Sequence, residues 1–446
     1  MKDSAYVTIY RRLATKRGRR LLHRYQDALL RQQLDYTARN SPFYREKFEQ
    51  LGLDPRAIRG IGDLPALGFF TFPAELRADP SRFLAIPRQD AVAAVPSSGT
   101  TGKAKIVYFS SRDWTAIQGT ISVGLSMMGV RPSDVAQILF AYGNPSWPTG
   151  HLTQNGLERL HVLTLAAGNA LSVDQQIEMM QTFGTTLLFG TPSYLHRLTV
   201  EALKSYDLRS LGIRLIRLGS EPWSEALRAF LQDAWGAQVY DVYGMIELGV
   251  AGAGECRALA GLHLSPYVLV EVINPMTGEA LPCGDLGELV YTTVHRQATP
   301  LLRYRSGDLG RLLPDELCPC GEVPTDRISR IAGRTDDMLL LGTGENTFPS
   351  QFETALTPIE GLVGFQVVID KTGYQDRVCV RAEVLEPWAG LDQHIRERLY
   401  ESLDFLHHDI YRSGLIAPLE IEFLAPGTLQ SETPTKVRRV VDLRPR

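Results

Sequence analysis

Apolar positions along this chain fall into two alternating patterns. Short apolar runs at 136–140 (AQILF), 186–190 (TLLFG) and 213–219 (IRLIRLG) are separated by amphipathic stretches at 174–183 and 224–235. Runs of this length bounded by turn residues read as buried strands, and the stretches between them as helices, so the repetition predicts a mainly parallel α/β sheet. Upstream, 27–78 is patterned as helix, with breaks at Asn40-Ser41-Pro42 and Leu64-Pro65; it forms the core of a helical lead-in over about residues 1–85. From Tyr267 onward the runs become strand-dense (269–273, 287–294), as expected for an added antiparallel subdomain. A loop rich in Pro, Gly and Asp at 313–334 precedes a last segment with its own alternation: strands at 363–370 and 378–384, a helix at 391–407 and a strand at 419–424. The expected fold class is therefore α/β. A large N-terminal domain (1–333) of mainly parallel sheet with helices and a strand-rich subdomain is followed by a small α+β C-terminal domain (334–446).

Composition narrows the partners. The 446 residues are 44% hydrophobic and 22% charged, enough to bury a sizeable core, and the formal charge of -3 gives no general reason to expect nucleic acid. The basic run RRLATKRGRRLLHRYQDALLR at 11–31 carries leucines at helical spacing, and reads as a helix with a solvated cationic face rather than a membrane or nucleic-acid contact. No apolar stretch approaches the roughly 18 residues needed to span a bilayer, and the N-terminus lacks a signal-type apolar core. A cytoplasmic protein with no membrane partner is expected. The 5 cysteines, an odd number, do not suggest a disulfide framework, and fit a reducing compartment.

The stretch PSSGTTGKAKIVYF at 96–109 is the first candidate for chemistry. A Walker loop needs four residues between its first glycine and its Gly-Lys pair, whereas Gly99 and Gly102-Lys103 enclose only Thr100 and Thr101. Glycines that let backbone N–H groups approach, hydroxyl donors and a lysine still suit phosphate; a glycine-rich surface turn is the alternative. Ser110 followed by Asp113 reads as a capping box, which starts a helix after the strand at 106–109.

PSSGTTGKAK resembles the phosphate loop of adenylate-forming enzymes, the superfamily of acyl-CoA synthetases, adenylation domains and luciferases, and four further stretches follow in that family's order. Gly219-Ser220-Glu221-Pro222-Trp223 resembles its adenine-side loop, and DVYGMIE at 241–247 its aromatic-Gly-x-Thr-Glu motif. YRSGDL at 304–309 resembles the ribose-holding motif and GRTDDML at 333–339 the hinge. SPFYREKF, GTPSYL, GSEPWSEALR, CPCG and GENTFPSQFE are similar to the phenylacetate-CoA ligase branch. The resemblance implies ATP held by Ser97, Ser98, Gly99, Thr100, Thr101, Gly102 and Lys103 at the phosphates. It also implies Ser220, Glu221, Pro222, Tyr243 and Gly244 around adenine, with Asp308 on the ribose hydroxyls. Arg334 is expected at the ribose or phosphates, Glu247 on Mg²⁺, and Asp336 at the pivot of a mobile C-terminal domain. PTKVRRV at 434–440 resembles the C-terminal motif whose lysine, here Lys436, enters the site for adenylation. Tyr142, Trp147 and His151 lie in the stretch that resembles the branch's acyl pocket. The chain departs at Ile246, where the family carries Thr or Ser.

Cys318-Pro319-Cys320-Gly321 is a tight knuckle, and with Cys256 and His263 it offers a Cys3His set that suits tetrahedral, structural zinc, as in some relatives of the branch. Four unconnected, reduced residues are the alternative. The expected activity is ATP-dependent adenylation of a small aromatic carboxylate followed by transfer to coenzyme A. Ile246 keeps a second reading in view, an amide ligase or a diazotase-like enzyme that activates nitrite for an aryl amine. A non-catalytic nucleotide-binding protein is the third reading, and a homodimer is left open.

Overall fold

The computed structural model describes residues 12–97, 104–143, 148–335, 339–343, 345–429 and 439–444. The chain forms two compact units, Met1–Gly168 with Tyr240–Ile331, and Asn169–Val239 with Ala332–Arg446.

The first unit begins with α1 (Lys16–Asn40), capped by the Thr15 side chain, which accepts from Gly18 N, and ended by extended Ser41 ahead of Pro42. Leu22, Leu29, Leu30 and Leu34 recur at helical spacing on its buried face. Polar residues share that face and are bonded to backbone: Gln26 Nε2 donates to Pro266 O (3.0 Å) and Gln33 Nε2 to Arg296 O (2.8 Å). The basic run departs from expectation at Arg19. The residue is only 7% exposed, and its guanidinium donates to the carbonyls of Pro324 and Thr325 and to the carboxylates of Asp315 and Asp326. A fixed guanidinium fork matched to four acceptors can be buried where an unpaired cation cannot.

Helix α2 (Pro42–Leu51) follows and ends on left-handed Gly52. Beyond it the expected helical pattern becomes 3₁₀ turns (Pro55–Ala57, Ile61–Leu67) and one short helix (Pro73–Ala78), because prolines at 55, 65 and 73 remove the donors a longer helix needs. Strands β1 (Ala91–Pro96) and β2 (Ile106–Ser110) pair antiparallel, Pro96 opposite Ile106, and so flank the glycine-rich loop. Helix α3 (Ser111–Met127) starts on the expected box: Ser110 Oγ accepts from Asp113 N and Asp113 Oδ2 accepts from Ser110 N. Strands β3 (Val135–Ile138) and β4 (Leu163–Leu165) are parallel and joined through α4 (Thr149–Glu158).

After β7 (Gln238–Tyr243), strands β8 (Ala253–Glu255) and β9 (Leu262–Leu264) extend antiparallel pairing. Strands β10 (Val268–Ile273), β11 (Gly287–Thr293) and β12 (Tyr304–Gly310) form the strand-rich antiparallel sheet expected from the pattern.

In the second unit α5 (Val173–Phe183) leads to β5 (Leu187–Gly190), α6 (Pro192–Ala202), β6 (Leu215–Gly219) and α7 (Glu225–Trp235), with β5 parallel to β6. Its later part holds a hairpin, β13 (Leu362–Thr372) with β14 (Gln375–Val384), which turns at Gly373, φ 62°. Strand β15 (Glu420–Leu424) adds parallel to β14, and β16 (Val440–Asp442) parallel to β13. Phe352, Phe365, Val367, Val380 and Ile395 make its core. The helix expected over 391–407 is broken. It splits into Leu391–Ser402 and Asp404–Tyr411 at Leu403, whose φ/ψ of -132°/74° is not helical. Leu403 and Leu406 on either side of the break are both in the core. Among the described residues, no helix is long and apolar enough to cross a membrane.

Candidate active site

Glu247 sits in a tight turn that depends on the glycine at 244. A Cβ at Gly244 would lie 1.5 Å from the carbonyl oxygen of Val250, and Gly249 and Val250 both take positive φ, 92° and 74°. The chain between them winds as a single 3₁₀ turn, Ile246–Leu248, which leaves the Glu247 side chain 2% exposed. Its Oε1 meets Lys105 Nζ at 2.5 Å and accepts from Tyr304 Oη at 2.8 Å, and Lys105 also donates to Tyr304 Oη at 3.2 Å. A carboxylate this buried persists because an ammonium and a phenol converge on one oxygen.

Lys105 is placed by the strands around the glycine-rich loop. Ser97 N donates to Lys105 O (2.7 Å) and Ser97 Oγ accepts from Lys105 N (3.0 Å), closing the loop where the two strands meet. Ser98, Gly99, Thr100, Thr101, Gly102 and Lys103 lie outside the described residues.

Tyr243 and Asp308 meet as well. Tyr243 Oη donates to Asp308 Oδ2 at 2.5 Å, and its ring stacks on Tyr291 with centroids 6.2 Å apart. Burial, then the Asp308 charge, holds the Tyr243 phenol well above its ordinary range, so it stays a donor. Segments 243–247 and 304–308 therefore touch at both ends, Tyr243 with Asp308 and Glu247 with Tyr304. A flat aromatic face, a two-oxygen acceptor and a cation-holding carboxylate are the pieces that adenine, a ribose diol and a metal-bound phosphate require.

In the second unit, Ser220 has φ 77° and Glu221 accepts from Ser193 N and Ser193 Oγ, both at 3.0 Å. Glu221 thus caps the first turn of α6, a favourable place for a carboxylate, and Pro222 beside it is exposed. Arg334 is half-buried in the short strand Gly333–Arg334. Asp336 and Lys436 lie outside the described residues, as does Trp147. The other two expected acyl-pocket residues come together: the Tyr142 and His151 rings stand edge to face at 4.9 Å. Burial pushes the Tyr142 phenol up to about 12, and a side chain at Gly150 would strike its ring at 3.1 Å.

The Cys/His set converges in the first unit. The ligand atoms of Cys256, His263, Cys318 and Cys320 all lie within 4.8 Å of one another. Cys256 Sγ is 3.5 Å from Cys318 Sγ, and Cys320 Sγ is 3.7 Å from His263 Nε2. Tetrahedral zinc with Zn–S of ~2.3 Å separates its sulfurs by about 3.8 Å, a spacing near that of Cys256 and Cys318. His263 Nδ1 faces Thr325 Oγ1 at 3.3 Å, which leaves Nε2 on the cluster side. The Thr325 carbonyl is one of the acceptors of Arg19, so α1 is tied to the same knuckle.

Three contact residues escaped the sequence reading. Lys105 and Tyr304 stand inside the motifs quoted above, whose expected site residues are Lys103 and Asp308. Tyr291 carried no signal beyond a strand pattern, and nothing in the sequence pairs it with Tyr243.

Comparison with known proteins gives the family. The AMP-binding enzyme family matches residues 6–295, and the AMP-binding enzyme C-terminal domain matches 344–444. A phenylacetate-coenzyme A ligase of Thermus thermophilus is 32% identical over 96% of this chain and 97% of its own. One of Escherichia coli is 31% identical over 82% of this chain and 83% of its own. Among solved structures, a 2-hydroxyisobutyryl-CoA ligase in the postadenylation state, in complex with 2-HIB-AMP, is similar with TM-score 0.81 and 25% identity, covering 94% of this chain and 89% of that one. The same ligase with 2-HIB-AMP and CoA in the thioesterification state gives TM-score 0.67 at 25% identity, over 95% and 90%. With two family matches in chain order and relatives of this identity across nearly its whole length, the chain belongs to the AMP-binding enzyme family.

Proposed function

We propose that this protein is an ATP-dependent, AMP-forming ligase that activates an aryl carboxylate and passes the acyl group to coenzyme A. The observation that carries the reading is the double contact between 243–247 and 304–308, which puts Tyr243, Asp308, Glu247 and Lys105 on one short strip. The names of the relatives, phenylacetate-coenzyme A ligases, support the aryl acid and the thiol acceptor.

In the first half-reaction a carboxylate oxygen of the acid attacks the α-phosphorus of ATP and pyrophosphate leaves. In the second the coenzyme A thiolate attacks the acyl carbonyl and AMP leaves. Tyr243 supplies the face for adenine, and Asp308 accepts from the ribose hydroxyls. The loop 97–103 donates to the phosphates through Ser97, Ser98, Thr100 and Thr101 and the backbone at Gly99 and Gly102, with Lys103 as a cation. Ser220, Glu221, Pro222 and Gly244 border the base. Glu247 already holds an ammonium at 2.5 Å, which fits it to hold the Mg²⁺ that would neutralise phosphate charge. Lys436 would bring a further cation to the α-phosphate, and Arg334 would approach the ribose or phosphates. Tyr142 and His151, with Trp147, would border the acid.

The functional boundary is placed near 333/334 with Asp336 as pivot, a reading supported by the separate match of 344–444. Cys256, His263, Cys318 and Cys320 would hold zinc with no open position, and so would brace the fold rather than activate water.

The test is pyrophosphate release against a panel of aryl acids and nitrite, each with and without coenzyme A or an aryl amine. Release with an aryl acid and formation of its CoA thioester is the expected result. Nitrite is included because Ile246 has no hydroxyl for a carboxylate. Release with nitrite and an amine alone would move the assignment to the other chemistry, and no release with any acid would remove it.

A further inference from the structure

One buried hydroxyl beside the strip that joins Tyr243 to Asp308 has no partner. Tyr291 is 0% exposed and packs in an apolar cluster with Val270, Leu289 and Ile328. Among the described residues nothing bonds its Oη. A phenol buried without a partner costs stability that phenylalanine at the same place would not, so the hydroxyl calls for a reason.

Strand register says where it stands. On β11, Tyr291 lies opposite Tyr304 of β12, and residues directly opposite in an antiparallel pair leave the sheet on one face. Tyr304 is the phenol that donates to Glu247. The Tyr291 ring in turn stacks on Tyr243, with centroids 6.2 Å apart and planes inclined by 30°. Tyr291 therefore adjoins both ends of the strip, one through its neighbour in the sheet and the other through its ring.

Donors and acceptors show what it lacks. Tyr243 gives its one hydroxyl proton to Asp308 Oδ2 at 2.5 Å, with Met245 Sδ a weaker acceptor at 3.7 Å, and its oxygen keeps lone pairs that can accept. Tyr291 is the reverse case, a proton without an acceptor. Burial holds the Tyr291 phenol well above its ordinary range, which keeps it a donor; the Tyr243 hydroxyl opposes that shift and the Asp308 charge adds to it, so both groups stand near. The two phenol hydroxyls nonetheless fall short of hydrogen-bond geometry.

We infer that Tyr291 is a positioning residue of the nucleotide site: with ATP bound, its hydroxyl donates to Tyr243 Oη and completes a chain from Tyr291 through Tyr243 to Asp308. The inference rests on the reading of Tyr243 and Asp308 as the adenine and ribose residues. Tyr243 is half-buried and Tyr291 wholly so, which places the base on the outer side of the pair. A base stacked there presses one ring toward the other, and site hydrogen bonds that are long in a free protein tighten in its complex. Each bond in such a chain strengthens the next, so the stacking face and the ribose acceptor are held as one unit.

The experiment is ATP binding by calorimetry to full-length wild type, Tyr291→Phe, Tyr243→Phe and the double variant, with unfolding midpoints measured in the absence of ATP. Tyr291→Phe should weaken ATP binding ~3-fold or more, and should add no further weakening in the Tyr243→Phe background, where its acceptor is gone. Its midpoint without ATP should equal or exceed that of wild type, because only an unmatched hydroxyl is removed. A tyrosine with a merely structural role would lower that midpoint and would not couple to Tyr243 in ATP affinity. Equal ATP affinity in Tyr291→Phe and wild type, additive losses in the double variant, or a lowered ATP-free midpoint would each overturn the inference alone. Absence of ATP binding by wild type would remove the nucleotide reading itself, and this inference with it.

Discussion

The Glu247 cluster and the Cys/His cluster of the first unit differ in what already stands at their centre. At Glu247 the protein supplies its own cation: Lys105 lies 2.5 Å from the carboxylate and Tyr304 donates to the same oxygen. At Cys256, His263, Cys318 and Cys320 the four ligand atoms lie within 4.8 Å of one another, and three of them are sulfurs. The first arrangement suits a cation that comes and goes with a nucleotide, because an ammonium can cover the charge between turnovers. The second suits an ion that stays, since three sulfurs and an imidazole crowd one another without it. Location repeats the contrast. Glu247 rides on a strained turn with two consecutive positive-φ residues, whereas the knuckle is tied through Thr325 to Arg19 of α1.

The contrast can be broken most forcefully at the knuckle. The double variant Cys318→Ser, Cys320→Ser should lose about one zinc per chain by metal analysis and about 3 kcal/mol or more of stability in denaturant unfolding. Wild-type protein prepared without chelator and found free of zinc would show that the cluster is not a metal site.

Gly244→Ala should come next. Its Cβ would lie 1.5 Å from Val250 O, so the turn must open, at about 3 kcal/mol of stability and with most adenylation lost, while zinc content is unchanged. An alanine variant with wild-type midpoint and turnover would mean that the turn is not held as described.

Tyr243→Phe keeps the stacking face and removes the hydrogen bond to Asp308. It should raise KM for ATP several-fold, about 1 kcal/mol, with kcat nearly kept. A loss confined to kcat would instead place the phenol in the chemistry.

The smallest effect belongs to His23, whose pKa is raised chiefly by its hydrogen bond to Asp326. A raised histidine stabilises most below its unfolded value, near 6.5, and the contribution disappears as pH rises through the folded pKa. His23→Gln should therefore lower the midpoint slightly at pH 6, by less than ~1 kcal/mol for a half-exposed pair, and not at pH 9. An equal deficit at both values would assign His23 to packing alone.

What could be read in advance follows the range of the forces involved. Strand and helix alternation, the Ser110–Asp113 box and the residue types at 243–247 and 304–308 are local, and each is found where the pattern places it. Contacts that join distant segments were not legible. Lys105 reaches Glu247 across 142 positions only because the two strands flanking the loop pair in the right register. Arg19 looked like one more solvated cation until Pro324, Thr325 and Asp326 came to meet it. The break at Leu403 has no proline or glycine to announce it.

The central claim is that Glu247 serves the nucleotide's cation while the knuckle serves the fold. Its most direct test is pyrophosphate release from ATP and an aryl acid by wild type and Glu247→Gln, with zinc measured on the same samples. Glutamine keeps shape and hydrogen bonding but removes the charge, so the account predicts a fall of ~100-fold or more in release with zinc content unchanged. Release within about threefold of wild type would contradict it.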